Sequence, residues 1–136
     1  MHILLIGNNS YVNTFIEQLV EDDRHAIQIE QKGDFSVLIN NEADTPVIDN
    51  ADLIILDFSA YGTSKILDKI EEVNRKLPYV PVLVIHDYEQ PSLVKPLWNK
   101  GVDGYVPSDR LSDELLPALT SINEGERYIS TDLLQE

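Results

Sequence analysis

A carboxylate at the end of a buried apolar run is the first feature of this sequence that could do chemistry. In Ala51–Tyr61, ADLIILDFSAY, the run Leu53-Ile54-Ile55-Leu56 stops at Asp57. Apolarity this continuous over so few residues fits a strand covered on both faces. In open α/β sheets, chemistry sits beyond the carboxyl ends of the strands. His86 ends a second run of this kind, Val80–Ile85. A carboxylate and an imidazole brought together there could act as acid and base, or simply neutralise each other. Asn8 and Asn9 could line the same site, yet Gly7-Asn8-Asn9-Ser10 is equally a good turn with an N-cap.

Other chemistries are excluded. The three histidines, His2, His25 and His86, do not recur with Asp and Ser in any triad pattern. Gly7 stands alone, so there is no glycine-rich phosphate loop. The absence of cysteine removes thiol catalysis, disulfides and the usual zinc ligands. Ten Lys and Arg against 24 Asp and Glu give a net charge of −14. Such a chain repels nucleic acid and anionic membranes, whose phosphates need a basic footprint. Ile3–Ile6 is too short to span a membrane or form a signal-peptide core, and a cytoplasmic location is expected.

The elements that must position Asp57 and His86 can be read from periodicity. With 136 residues, 43% of them hydrophobic, the chain can bury one core as a single domain. Strands are predicted at His2–Ile6, His25–Gln31, Leu53–Asp57, Val80–Ile85 and Gly104–Val106. Val12, Phe15, Ile16, Leu19 and Val20 predict a first helix. Ile66, Ile70 and Val73 predict another over Gly62–Leu77, stopped by Pro78. Gln90–Lys100 reads as a helix kinked or shortened by Pro96 and ended by Gly101. The last helix starts near Ser112, carries Leu115, Leu116, Leu119 and Ile122, loses one bond to Pro117, and closes at Gly125. Residues 33–50 read equally as a short helix capped by Asp34 or as an extra strand over Ser36–Ile39. Five βα repeats imply a five-stranded parallel sheet with helices on both faces.

Asp52–Asp57 (DLIILD), Gly101–Val106 (GVDGYV) and the closing Ala118–Ser130 (ALTSINEGERYIS) make the chain resemble response-regulator receiver domains. These CheY-like modules serve two-component signalling, and the resemblance is closest to the NarL/LuxR class. It implies a flavodoxin-like, doubly wound α/β sheet of order 2-1-3-4-5. It also implies a receiver-like domain over 1–126 and a tail over 127–136, where a linker to an output domain could begin. Receivers phosphorylate an aspartate that Asp57 matches. Their acidic Mg²⁺-binding pair falls on Gly7 and Asn8, their Ser/Thr position on His86, and their Lys on Ser108. Of the partner residues, only the strand aromatic, Tyr105, is kept. Mg²⁺ needs anionic oxygen ligands, so no cofactor is expected beyond weak Mg²⁺ at Asp57. Each lost electrostatic partner costs phosphoryl transfer about 3–4 kcal/mol.

The expectation is therefore a pseudo-receiver. It is no enzyme, and it regulates signalling or transcription by protein–protein interaction, independently of Asp57 phosphorylation. Gly7, Asn8, Asn9, His86 and Ser108 would line its degenerate pocket, and no metal ligands are assigned. The resemblance puts a protein partner, or a second copy in a homodimer, on the face of the fourth helix, fifth strand and fifth helix. Tyr105, Trp98 and Arg110 would serve there as switch or interface residues, although Trp98 could equally fill the core. Two other readings stay open. One is a conventional receiver phosphorylated at Asp57 and fused to a helix-turn-helix DNA-binding domain. The other is a small flavodoxin-like enzyme using Asp57 and His86.

Overall fold

Strand pairing alone fixes most of the architecture. The computed structural model describes residues 2–7, 12, 14–18, 28–32, 51–58, 63–76, 79–86, 95–96 and 98–129. These contain strands β1 (His2–Ile6), β2 (Gln28–Lys32), β3 (Leu53–Asp57), β4 (Val82–His86), β5 (Gly104–Pro107) and β6 (Tyr128–Ile129). They also contain helices α1 (Thr63–Lys76) and α2 (Leu111–Asn123), and further helical residues at 14–18, 95–96 and 98–99. All five strand pairings are parallel, in the order β2-β1-β3-β4-β5-β6. The expected five strands stand in the expected order, and a two-residue strand is added beside β5.

Every residue of β3 and β4 is buried, because alternate side chains enter two different cores. Leu4, Ile6, Ile54, Leu56, Val82, Val84 and Tyr105 join Ile70 and Val73 of α1 on one face. Ile3, Leu5, Leu53, Ile55, Leu83, Ile85 and Val106 join Val12, Ile16 and the α2 residues Leu115, Ala118, Leu119 and Ile122 on the other. Helices thus cover both faces, as a parallel sheet requires. Leu19, Val20, the Ile66 side chain and residues 33–50 lie outside the described residues.

Two aspartates open strands in the same way. The Asp52 N–H donates to the His2 carbonyl at 2.7 Å, and its Oδ2 accepts the His2 N–H at 2.8 Å. The Asp103 N–H donates to the Val82 carbonyl at 2.8 Å, and its Oδ2 accepts the Val82 N–H at 2.9 Å. Each carboxylate satisfies the first N–H of the neighbouring strand, which the ladder would leave unpaired.

The chain end is tied down more firmly than a tail. Gly125, at φ +86°, closes α2 in a Schellman motif. Its N–H reaches the Ile122 carbonyl at 3.0 Å, and the Glu126 N–H reaches Ser121 at 2.9 Å. This reversal delivers β6 to β5, where the Tyr128 N–H donates to the Asp103 carbonyl at 2.9 Å. The Tyr128 hydroxyl donates to Glu114 Oε1 at 2.7 Å. Residues 127–129 therefore belong to the folded domain, not to the tail expected from 127 onward. Pro117 lies inside α2, which starts at Leu111 after a 3-10 turn, Ser108–Arg110.

Two outcomes are expected. Asp103→Ala should cost about 1–3 kcal/mol in urea unfolding by orphaning the Val82 N–H, and Asp103→Asn, which keeps an acceptor oxygen, should cost less. Burial, then the bond to Glu114, push the Tyr128 hydroxyl up to about 12. A phenol harder to ionise when folded contributes stability that is intact below its ordinary value near 10 and is lost as pH rises from about 10 to 12. Tyr128→Phe should remove that alkaline loss, read as unfolding stability against pH.

Candidate functional site

The carboxyl ends of β3, β4 and β5 form one rim of the sheet. Asp57 ends β3 and His86 ends β4, and they are only 1% and 2% exposed. Ser108, half-buried, follows β5 directly. Asp57 sits opposite Ile85, and His86 opposite Pro107. Strand alternation makes Asp57 continue Leu53 and Ile55 toward the α2 face, and His86 continue Val82 and Val84 toward the α1 face. The two groups share a rim but leave the sheet on opposite faces.

The end of β1 is packed tightly against Asp57. A Cβ on Gly7 would lie 2.7 Å from Asp57 Cβ, 3.2 Å from its Oδ2 and 3.3 Å from its Cγ. No side chain fits at position 7 unless Asp57 moves. The glycine is thus a condition of the Asp57 position, beyond its role in the turn. The Asp57 Oδ2 is sealed from solvent with no hydrogen-bond donor among the described residues, while the residue as a whole makes further interactions.

Of the positions where the receiver resemblance asks for Mg²⁺ ligands, the described residues bring one carboxylate, Asp57. Position 7, where the receiver resemblance asks for a carboxylate, offers none, and Asp57 itself fills the space that one would need. Among the described residues no group of three or more His, Asp or Glu comes together as a metal site. Asn8 and Asn9 lie outside the described residues. Ser108 opens onto a cavity of about 220 Å³ lined by Val12, Phe15, Asp109, Leu111 and Ser112. It brings a hydroxyl but no cation to this rim.

The residues expected at an interface divide. Tyr105 is fully buried in the α1-side core, so it is no surface contact; an apolar cage holds the ring inward. Arg110 is paired with Glu114 at 3.7 Å, one helical turn away. Trp98 packs half-buried against the same core as Tyr105, and the Arg127 guanidinium lies 3.5 Å above its ring. Sequence reasoning missed Arg127, and Asp103 as the residue that stitches β4 to β6. The signal for Asp103 was its match with Asp52, each standing just before a strand. Arg127 had no local signal, since its partners are 25 and 29 residues away.

Comparison with known proteins places this geometry. No family model matches the chain. It is 23% identical to the response regulator UvrY of Escherichia coli, over 100% of this chain and 60% of that protein. The chain therefore spans about 60% of the length of the curated relatives it matches. The isolated REC domain of RcsB from Salmonella enterica superposes with a TM-score of 0.81 at 18% identity, covering 98% of this chain and 96% of that one. A LuxR family DNA-binding response regulator from Silicibacter pomeroyi gives 0.79 at 21% identity, covering 96% and 98%. Among the described residues no helix is long and apolar enough to cross a membrane. The chain has the fold of a response-regulator receiver domain, and along its whole length it is similar to the NarL/LuxR class that includes UvrY and RcsB.

Proposed function

We propose that this domain is a pseudo-receiver, signalling through protein contacts with no phosphorylation of Asp57. The observation that carries the reading is the Gly7–Asp57 contact. An aspartyl phosphate would require a divalent cation beside Asp57 and a lysine against the phosphoryl oxygens. Here position 7 lacks a carboxylate and the space beside it is taken, while Ser108 stands at the lysine position. Without these charges the transferring phosphoryl group is stabilised by little but backbone dipoles. The partner, a second copy included, would meet the face of residues 95–100, β5 and α2. RcsB is described as interacting with DNA and the Silicibacter protein as a DNA-binding response regulator, so the domain would act on transcription, in the cytoplasm.

A second reading has one observation in its favour. Asp57 ends β3 where a phosphoacceptor belongs, and the RcsB REC domain, similar in fold, has been solved in the presence of phosphomimetic BeF3-. In that reading the domain is a conventional phospho-accepting receiver.

Two-dimensional NMR separates the readings. Titration with Mg²⁺ to millimolar levels, then beryllofluoride, should leave the amides of Gly7, Asp57, His86 and Ser108 without saturable shifts. Saturable shifts that spread to Tyr105 and α2 would establish the conventional receiver instead. The steric basis is tested separately. Gly7→Ala should destabilise the domain by about 1–3 kcal/mol through overpacking. In an Asp57→Gly background, which removes the nearest atom, the same change should cost much less. Equal costs in the two backgrounds would show that the contact does not govern position 7.

A further inference from the structure

The interaction face proposed above already has an occupant. Residues 127–129 reach the edge of β5, pairing Gly104 with Tyr128 and Tyr105 with Ile129. Arg127 anchors them. Its Nη2 donates to the carbonyls of Trp98 at 2.7 Å and Val102 at 2.8 Å, and its Nε to Val102 at 3.1 Å. Its guanidinium plane covers the indole of Trp98. Tyr128 adds a bond to Glu114 on α2. One short segment thus touches the 98–102 turn, the β5 edge and α2, which are the three parts of that face.

β6 contributes two half-buried residues, Tyr128 packed against the α2-side core and Ile129 against the α1-side core. One charged side chain with a planar fork, a geometry that lysine cannot reproduce, supplies three of its hydrogen bonds. The segment begins directly after Glu126, whose N–H completes the Schellman cap of α2 with no bond to β6. On the opposite side the 98–102 turn is held independently. Lys100 pairs with Glu71, and Asn74 Nδ2 donates to the Lys100 carbonyl at 3.0 Å.

We propose that residues 127–129 are a releasable strap, locked by Arg127 across Trp98, that closes the 95–100/β5/α2 face in cis. A partner of this face has to displace Arg127 before it can reach Trp98 or pair with the β5 edge. The strap deepens the pseudo-receiver reading, on whose choice of face it rests. It says what controls the surface, whereas the Mg²⁺ and beryllofluoride titration asks whether Asp57 does.

Native-state hydrogen exchange on the whole chain tests it, with three amides as markers. The Tyr128 N–H reports the strap, the Glu126 N–H the α2 cap, and the Asp103 N–H the β4–β5 ladder. Arg127→Ala should lower the protection of Tyr128 by about tenfold or more while Glu126 and Asp103 keep theirs, as a local opening does. Trp98, the sole tryptophan, should become more accessible to acrylamide quenching in the same variant. Arg127→Lys should fall between wild type and Arg127→Ala in both readouts. Unchanged Tyr128 protection, or equal loss at all three amides, would overturn the proposal. The first would show that Arg127 locks nothing, and the second that the strap is part of the global fold. Neither result depends on whether Asp57 accepts a phosphoryl group.

Discussion

A parallel sheet has no exposed face to spare, and that constraint governs this molecule. β3 and β4 are sealed on both sides, so a polar group in them can be tolerated only where the strand runs out. Asp57 and His86 sit there, each the last residue of its strand. Asp52 and Asp103 hold the opposite rim, accepting the strand-opening N–H groups. Apolar middle, polar ends: the chemistry of the rim and the mechanics of the ladder are set by the same rule.

In the proposed pseudo-receiver reading, the rim keeps the shape of a phosphorylation site and replaces its charges. Position 7 is not merely short of a carboxylate, because Asp57 leans into the place where its side chain would be. An acidic side chain at position 7 would collide with Asp57 unless one of the two moved, so the glycine and the aspartate constrain each other.

Much of the fold was legible because apolar runs and helical stripes are local signals. Leu53–Asp57 and His2–Ile6 are strands to the residue, and Gly125 ends α2 as its spacing indicates. The last helix begins at Leu111, one residue early, since Ser108–Arg110 enters it as a 3-10 turn. β6 was unreadable. Two residues carry no period, and the strand exists through hydrogen bonds to Asp103 and Glu114 that are distant in sequence. At the site, residue types alone revealed the missing carboxylate and lysine. That Asp57 and His86 leave the sheet on opposite faces follows only from the register, and the burial of Tyr105 only from packing.

The two outer strands bear on colloidal behaviour. An open sheet has two edges whose unpaired backbone groups can template pairing between molecules. Among the described residues one edge is β2, whose sequence QIEQK interrupts apolarity with Glu30 and Lys32. The other is β6, two residues long and therefore a poor template. Together with a net charge of −14, which keeps copies apart, both borders of the sheet are blunted against edge-to-edge aggregation.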